Sequence, residues 1–353
     1  MEQMARVLFF YPNLRAESLI PPCISLLSRI LKDRGHAVGL FDSTNYDIPI
    51  GEHRADTDKM KEQNLNVRPT DSWNKKRRHD DVFADFAHEV ETFSPDIIAV
   101  TVTEATFIVG ITLMQSIRRF KILNIWGGVF PTFAPERAIG FFDVDMICVG
   151  EGENCLVDLC EKLDNKRDYS QTTNLWLKKP DGTIIRNGIT TPVDINELPA
   201  KLDVGLFLER EPDRLTRPMG GKLYRMLAVE TPRGCPYTCA FCNSPGQNVL
   251  YAKKTKSSFF RKKRMDKIRE ELLYYRDTWK VEYNFMWADT FFAWTPFELA
   301  EFAEMYKDVG LLFWCQTRPE TVKTEILKML KNVGLDRISY GLEHGNPKFR
   351  REV

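Results

Sequence analysis

Short apolar runs alternate with amphipathic stretches through the first half of the chain. The apolar runs have the length of buried strands and are Val7–Tyr11, Ala37–Phe41, Ile97–Thr103, Ile122–Trp126 and Met146–Val149. Stretches between them carry apolar residues at helical spacing, in Pro21–His36, Asp81–Phe93, Phe107–Phe120 and Asn154–Leu163. Strands that alternate with helices in this way predict a parallel sheet with helices on both faces.

After a polar break the pattern resumes with a hairpin signal and a second alternating series. Asp181-Gly182 is a turn signal between two short apolar segments. The later predicted strands are Tyr224–Glu230, Tyr283–Trp287, Leu311–Cys315 and Ile338–Glu343. Helices are predicted between them at Met265–Trp279, Pro296–Val309 and Glu320–Asn332. Because a strand–helix–strand unit needs roughly 30 residues, this part has room for about four strands.

These patterns divide the chain into two α/β domains and a connection. Residues 1–163 form the first domain, in which the polar and charged stretch 51–81 is predicted to be a solvated insertion. Residues 164–222 contain the hairpin and a linker, and residues 223–353 form the second domain.

Composition and charge exclude several classes of protein. The chain has 353 residues, of which 43% are hydrophobic and 28% charged, and its net charge is +1. No global field therefore favours nucleic acid or a membrane surface, and the basic runs Lys75–Arg78 and Lys253–Lys267 are more typical of solvated surfaces. No apolar stretch is long enough to span a bilayer, and no signal-peptide pattern is present. Eight cysteines without a disulfide framework indicate a reducing, cytoplasmic location.

Three of those cysteines form the strongest chemical signal. Cys235, Cys239 and Cys242 lie within eight residues of one another, and thiolates are soft ligands that select iron–sulfur clusters, zinc or copper(I). A zinc site normally closes with four ligands, but the nearest downstream candidates, Cys315 and His344, are far along the chain. Three ligands on one loop leave one iron of a four-iron cluster open. A zinc knuckle, or three unrelated buried thiols, is the alternative.

The segment Arg233–Cys242 resembles the cluster loop of radical S-adenosylmethionine (SAM) enzymes. It has the spacing Cys-x₃-Cys-x₂-Cys, an Arg-Gly pair before the first cysteine and Phe241 before the last. The resemblance implies a 4Fe-4S cluster that binds SAM at its open iron and cleaves it reductively. Iron–sulfur potentials reach roughly −700 mV, so such a cluster can be a strong enough reductant.

The same resemblance implies a set of SAM contacts. The residues that match are Phe241, Asp289, Arg318 and Glu343. Phe241 is expected beside the adenine, Asp289 at the amino group and Glu343 at the ribose hydroxyls. Arg318 suits the SAM carboxylate because guanidinium pairs bidentately with carboxylates. A helix N-cap for Asp289, and a structural ion pair for Arg318, are the alternatives.

The first domain is similar to the cobalamin-binding domain found upstream of many radical SAM barrels. The resemblance rests on Gly-Gly-x-x-Pro-Thr at 127–132 and Gly-Glu-Gly-Glu at 150–153. It implies that cobalamin contacts come from Thr103, Thr106, Gly127, Gly128, Pro131, Thr132, Gly150, Glu151, Gly152 and Glu153. The Asp-x-His-x-x-Gly signature that supplies a cobalt ligand in cobalamin mutases is absent. A doubly wound domain that binds no cofactor is the alternative.

Three further cysteines flank the Gly-Glu-Gly-Glu turn. Cys148, Cys155 and Cys160 are expected to be packing residues, because free cysteine is among the most buried residue types. A second metal cluster is the alternative.

Together the resemblances imply a doubly wound (Rossmann-like) cobalamin-binding domain followed by a partial (β/α) radical SAM barrel. Such barrels need six strands, so this one is expected to be truncated after about four. The implied function is cobalamin-dependent methyl transfer to an unactivated carbon. The alternatives are a radical SAM cyclase or rearrangement enzyme without methyl transfer, and a non-catalytic metal- or cofactor-binding protein. The expected partners are a small-molecule or peptide substrate and an external electron donor of the flavodoxin or ferredoxin type.

Overall fold

The structure is a computed structural model that describes residues 4–13, 19–46, 48 and 81–352. Most of the predicted insertion, including Lys75–Arg78, lies outside the described residues, as do residues 14–18. The chain forms two compact units. Unit 1 comprises Met1–Ser18, Leu27–Thr190 and Val204–Glu211, and unit 2 comprises Leu19–Leu26, Thr191–Asp203 and Pro212–Val353.

Unit 1 is built on one mixed sheet. Its strands are β1 (Arg6–Tyr11), β2 (Ala37–Asp42), β3 (Ile97–Thr101), β4 (Leu123–Gly127), β5 (Met146–Cys148), β6 (Leu175–Lys178) and β7 (Ile184–Arg186). Their order is β2-β1-β3-β4-β5-β6-β7, and the first five pair in parallel. The hairpin β6–β7 adds to β5 in antiparallel fashion, so it extends the first sheet instead of standing in a separate connection.

The strands of unit 1 are apolar because both faces of the sheet are covered. Every residue from Val7 to Phe10 is buried, although successive side chains point to opposite faces. On one face Phe86 packs against Phe10 and Phe41, with ring centroids 4.5 and 4.7 Å apart. This burial on both faces produces the continuous apolar runs that predicted the strands.

The helices described in unit 1 are α1 (Pro22–Lys32), α2 (Val82–Phe93), α3 (Glu104–Ser116), α4 (Val129–Phe133), α5 (Pro135–Gly140), α6 (Glu153–Asp164) and α7 (Gly205–Leu208). Helices α1, α2, α3 and α6 lie close to their predicted positions. The residues Pro131, Thr132, Pro135 and Glu136 predict one helix, where the chain forms the two short helices α4 and α5, and α7 was not predicted. Helix α1 begins in unit 2 and ends in unit 1. Helix α3 starts three residues earlier than predicted, because Thr103 and Thr106 form a capping box at its N-terminus.

Unit 2 is a half-barrel of four parallel strands with an antiparallel strand at one edge. The strands are β8 (Thr216–Met219), β9 (Lys222–Glu230), β10 (Pro232–Arg233), β11 (Arg261–Lys262), β12 (Tyr283–Trp287), β13 (Leu312–Thr317) and β14 (Leu335–Tyr340). The main sheet has the order β14-β13-β12-β9-β8, in which β8 is the antiparallel strand. Strands β10 and β11 form a separate antiparallel pair.

The helices of unit 2 show where sequence patterns were insufficient. They are α8 (Ser244–Thr255), α9 (Met265–Trp279), α10 (Pro296–Tyr306), α11 (Thr324–Lys331) and α12 (Pro347–Glu352). Helices α8 and α12 were not predicted, and α8 buries only Ser244 and Tyr251. The helix predicted at Glu320–Asn332 is a 3₁₀ turn at Pro319–Thr321 followed by α11. Among the helices described, none combines the length and apolarity that a membrane span requires.

Candidate cofactor sites

The three-cysteine loop of unit 2 follows the carboxyl end of strand β9 of the half-barrel. Strand β9 ends at Glu230, and Thr231 donates its amide to the carbonyl of Trp287 at the end of β12, 3.2 Å away. The chain then enters β10, which pairs with β11. Parallel strands place their carboxyl ends at one edge, and ligands of α/β sheets bind at that edge.

Gly234 allows the chain to turn into the loop. Its φ is +83°, a conformation that favours glycine, and an added Cβ would lie 2.8 Å from a ring carbon of Phe259. Phe259 is in turn stacked on Tyr251 of α8, with ring centroids 5.0 Å apart. The start of the loop is therefore fixed by packing against the segment that follows it.

The three thiols differ in exposure. Cys235 is buried, Cys239 is half-buried and Cys242 is exposed. Burial raises the pKa of the Cys235 thiol, an effect that the amide of Tyr237 and the hydroxyl of Thr290 partly offset. Across residues 4–13, 19–46, 48 and 81–352, no three His, Cys, Asp or Glu side chains converge into a group that could hold one metal ion.

Each of the three cysteines has a polar neighbour on its sulfur. The Sγ of Cys235 lies 3.7 Å from Oγ1 of Thr290, and the amide of Ser244 donates to Sγ of Cys242 across 3.5 Å. The third sulfur, of Cys239, accepts from the guanidinium of Arg318. Hydrogen bonds of this kind orient thiolate ligands and tune the metals they hold. In a four-iron cluster each cysteine binds a different iron, so the three thiolates do not need to converge on one ion, and three soft sulfur donors suit such a cluster.

Asp289 lies beside the loop, at the end of β12. Its carboxylate accepts a hydrogen bond from the hydroxyl of Ser244, the first residue of α8, across 2.5 Å. The N-cap of α10 is Thr295, which forms a capping box with Glu298. Asp289 is therefore not the cap of that helix, and its exposed carboxylate stands next to the three-cysteine loop.

Arg318 follows β13 and reaches the same loop. Its guanidinium lies over the ring of Tyr237, 4.5 Å from the centroid, and donates from Nη1 to Sγ of Cys239 across 2.7 Å. Its Nε donates to Glu320 across 2.5 Å. Burial alone would lower the pKa of Arg318, but Glu320 and Cys239 outweigh burial and raise it.

Phe241 and Glu343 are exposed on the surface. The side chain of Phe241 is 66% exposed, although it follows the buried start of the loop. Strand β14 ends at Tyr340, three residues short of Glu343, which has a left-handed backbone with φ of 62°. The amide of Gly341 donates to the carbonyl of Thr317, so the two chain segments leave the same edge of the sheet.

Sequence reasoning missed the residues that hold the loop together. The side-chain Nδ2 of Asn248 in α8 donates to the backbone carbonyl of Cys235 across 2.7 Å. Arg233 pairs bidentately with Glu230, at 2.8 and 3.1 Å. Burial would raise the pKa of Glu230, but Arg233, Lys263 and Arg261 lower it below its ordinary value. The spacing of Glu230 and Arg233 was the only signal in the sequence for this pair.

In unit 1 the two predicted glycine motifs meet through one hydroxyl. Thr132 in α4 donates to the carbonyl of Gly128 across 2.8 Å and accepts from the amide of Gly150 across 3.1 Å. Strands β4 and β5 are parallel neighbours, so both turns leave the sheet at the same edge. The motifs that resemble a cobalamin-binding domain are therefore side by side.

The two glycines at 127 and 128 differ in their surroundings. Gly128 has φ of +106°, and an added Cβ would lie 2.4 Å from the carbonyl oxygen of Val102. An added Cβ on Gly127 would meet nothing within 4 Å. Gly128 is therefore required by the fold, whereas Gly127 leaves open space next to its backbone.

The remaining predicted contacts lie along the same edge. Thr103 is exposed and caps α3, and Thr106 and Pro131 are buried. In the turn after β5, the carbonyl of Glu151 accepts from Asn174, Gly152 is half-buried and Glu153 is buried at the start of α6. Cys148, Cys155 and Cys160 are buried free thiols, and the Sγ of Cys148 lies 3.5 Å from the carbonyl oxygen of Glu151.

Comparisons of sequence place this chain among known proteins. Residues 229–353 match the model of the radical SAM superfamily. An uncharacterized methyltransferase of Pyrococcus horikoshii is 25% identical over 276 residues, which cover 75% of this chain and 55% of that protein. An anaerobic magnesium-protoporphyrin IX monomethyl ester cyclase of Synechocystis is 26% identical over 246 residues, which cover 67% of this chain and 45% of that one. The chain thus spans about half the length of these relatives.

Solved structures share the fold over almost the whole chain. The cobalamin-dependent SAM radical enzyme OxsB, with aqua-cobalamin and SAM bound, aligns with a TM-score of 0.69 at 17% identity over 99% of this chain and 45% of its own. The radical SAM methyltransferase TsrM of Kitasatospora setae aligns with a TM-score of 0.67 at 16% identity over 98% of this chain and 60% of its own. We conclude that residues 229–353 form a domain of the radical SAM superfamily.

Proposed function

We propose that this protein is a cobalamin-dependent radical SAM enzyme that transfers a methyl group to an unactivated carbon. The observation that carries the proposal is the three-cysteine loop, which lies at a carboxyl end of the half-barrel with Asp289 and Arg318 beside it. Membership in the superfamily implies a 4Fe-4S cluster and SAM as cofactors. The family match also favours an enzyme over a scaffold with a structural metal.

The residues of unit 2 would divide the work of holding these cofactors. Cys235, Cys239 and Cys242 would hold the cluster, which when bound supplies the electron for reductive cleavage of SAM. Asp289 would accept hydrogen bonds from the SAM amino group, since its carboxylate is exposed beside the loop. Phe241 would cover the adenine and Glu343 would bind the ribose hydroxyls. An external donor of the flavodoxin or ferredoxin type would deliver electrons.

The glycine turns of unit 1 would form the cobalamin site. Gly127 leaves open space beside its backbone, and Thr132 joins the turn at 127–128 to the turn at 150–153. Thr103 and Thr106, after β3, would face the corrin. This domain would be doubly wound (Rossmann-like). In such domains ligands bind at the carboxyl ends of the parallel strands, where these glycine turns lie. The shared fold with OxsB and TsrM supports the assignment.

A second candidate is cyclisation or rearrangement without methyl transfer. The similarity to the protoporphyrin ester cyclase of Synechocystis, at 26% identity over 246 residues, favours it. Both candidates share the radical step and differ in the fate of SAM. Methyl transfer consumes a second SAM and yields S-adenosylhomocysteine, whereas cyclisation yields none.

Anaerobic reconstitution with iron, sulfide, cobalamin, SAM and a reductant tests the proposal. We expect 5′-deoxyadenosine from the protein, and S-adenosylhomocysteine beside it when a substrate is methylated. Replacing Cys235, Cys239 or Cys242 with Ala should abolish 5′-deoxyadenosine and reduce bound iron. Cys23→Ser is the matched control, because Cys23 is an exposed cysteine on α1, outside the three-cysteine loop. A protein that binds one zinc and no sulfide would overturn the proposal.

A further inference from the structure

Arg318 is held on three sides in a way that does not leave it free to pair with a carboxylate. Its Nε and Nη2 lie against Glu320, its Nη1 donates to Sγ of Cys239, and its planar face covers Tyr237. The Nε–Nη2 edge is the fork that binds a carboxylate bidentately. Glu320 already occupies that edge, so the remaining nitrogen, Nη1, is the one that contacts the sulfur of Cys239.

The backbone of Arg318 is also fixed. Pro319 follows it and restricts Arg318 to an extended conformation, here with φ of −86° and ψ of 137°. The carbonyl of Arg318 accepts from the amide and the hydroxyl of Thr321, at 3.1 and 2.7 Å. The hydroxyl of Thr321 also lies 2.9 Å from that of Thr317, at the end of β13. The side chain therefore starts from a preorganised position.

We propose that Arg318 is a positioning residue for the cluster, which orients the thiolate of Cys239 and raises the reduction potential of the cluster it holds. The inference rests on the proposed function, since it requires a cluster on the three cysteines. A charged hydrogen bond to a thiolate stabilises the more negative, reduced cluster. Glu320 sets the strength of the effect, because its carboxylate partly neutralises the same guanidinium.

The contacts give two substitutions with opposite expected signs. Arg318→Met removes the charge and the donor, so the cluster potential should shift to more negative values. Glu320→Gln leaves the guanidinium uncompensated, so the potential should shift to more positive values. Arg318→Lys keeps the charge without the planar fork and should fall between Arg318→Met and the unmodified protein. Arg269→Met is the matched control, because Arg269 is an arginine on α9 that pairs with Asp308 on the surface.

The experiment is an EPR-monitored redox titration of the reconstituted protein without SAM, with titanium(III) citrate as the reductant. Iron and sulfide content of each variant shows whether the cluster forms, and SAM affinity is measured separately by binding to the oxidised cluster. The proposal expects shifted potentials in the Arg318 and Glu320 variants and an unchanged potential in Arg269→Met.

Two results would overturn the inference. One is an unchanged SAM-free potential in Arg318→Met together with weakened SAM binding, which would assign Arg318 to the SAM carboxylate. The other is an equal shift in Arg269→Met, which would make the effect a general one of net charge. Failure of the unmodified protein to form a four-iron cluster is a separate outcome, and it would count against the proposed function itself.

Discussion

The hydroxyl of Thr132 accepts a hydrogen bond from the amide of Gly150, 3.1 Å away, and so connects the loops that follow β4 and β5. The same hydroxyl donates to the carbonyl of Gly128 across 2.8 Å. The two partners, Gly128 and Gly150, belong to different glycine motifs and are 22 positions apart in the sequence. One buried side chain therefore fixes the spacing of the two turns that we propose for cobalamin.

Removing that hydroxyl should loosen both turns. Thr132→Val preserves the shape of the side chain but leaves the amide of Gly150 without its acceptor. Because this hydrogen bond is partly buried and a typical one contributes about 0.5–1.5 kcal/mol, the free energy of unfolding should fall by about that amount. Urea unfolding measures the loss, and titration with cobalamin followed by absorbance measures the affinity. Thr132→Ser, which keeps the hydroxyl, should stay close to the unmodified protein in both, and a stable Thr132→Val would contradict the role.

The adjacent glycines at 127 and 128 should respond differently to alanine. Gly128→Ala forces a Cβ to within 2.4 Å of the Val102 carbonyl at a φ of +106°, and left-handed strain alone costs about 1–3 kcal/mol. Gly127→Ala meets nothing within 4 Å, so stability should be unchanged or rise by up to about 1 kcal/mol.

Measuring cobalamin affinity distinguishes a role of Gly127 in ligand binding from a role in stability. If the backbone at Gly127 approaches cobalamin, Gly127→Ala should weaken cobalamin binding while the free energy of unfolding is maintained. Equal affinity in the unmodified and Gly127→Ala proteins would remove Gly127 from the site. The control is Gly188→Ala, which adds a Cβ in open space outside the proposed site. Gly182→Ala is not suitable, because Gly182 has a φ of +84° that favours glycine.

Substitutions at Asp289 and Ser244 test whether Asp289 binds SAM or only holds the three-cysteine loop. Asp289→Asn removes the charge that would face the SAM amino group, and a hydrogen bond to a charged group contributes about 1.5–3 kcal/mol, or a loss of roughly 10-fold or more in SAM affinity. Ser244→Ala removes the 2.5 Å hydrogen bond between Ser244 and Asp289 but keeps the carboxylate. SAM affinity, measured by equilibrium binding to the reconstituted protein, should therefore fall in Asp289→Asn and much less in Ser244→Ala. Equal losses would mean that the contact only holds the loop.

Thiol labelling of the protein without its cluster should follow burial. Burial, with the nearby carboxylates Asp164 and Glu161, raises the pKa of the Cys160 thiol to about 12, and burial raises that of Cys315 to about 12. Because the thiolate is the reactive form, both should remain unlabelled by iodoacetamide at pH 8, while the exposed Cys23 and Cys242 react. Mass spectrometry of tryptic peptides reads the result, and a denatured sample is the control in which all of these thiols react. Rapid native labelling of Cys315 would contradict its burial.

Much of the fold could be predicted from the sequence. Helix α9 has the bounds that the pattern predicted, Met265–Trp279, and β12 is Tyr283–Trp287 as predicted. Both have strong local signals: helical spacing of apolar residues in one, and a short buried run in the other. The α/β class of both units is confirmed, and the resemblance to the radical SAM superfamily is confirmed by the match over residues 229–353.

Elements without an apolar face of their own were missed. Helix α8 buries only Ser244 and Tyr251, so its sequence has no helical stripe, and its position depends on the contact of Tyr251 with Phe259. The end of β14 was placed too late, because its Ile338–Tyr340 segment continues into Gly341 without a sequence break. Pairing of the hairpin β6–β7 with β5 depends on a sheet edge that local sequence does not describe.

The sequence by itself determined which functional groups are present and where they lie along the chain. These are three soft sulfur donors at a fixed spacing, glycine turns after strands, and acidic and basic residues at strand ends. Only the tertiary structure decided which of them meet. It joined Gly128 to Gly150 through Thr132, set Asp289 on Ser244 and turned Arg318 toward Cys239. The physical reason is that such contacts arise where separate strands end at one edge of a sheet. Strand order and register determine that edge, and both are properties of the whole packed sheet.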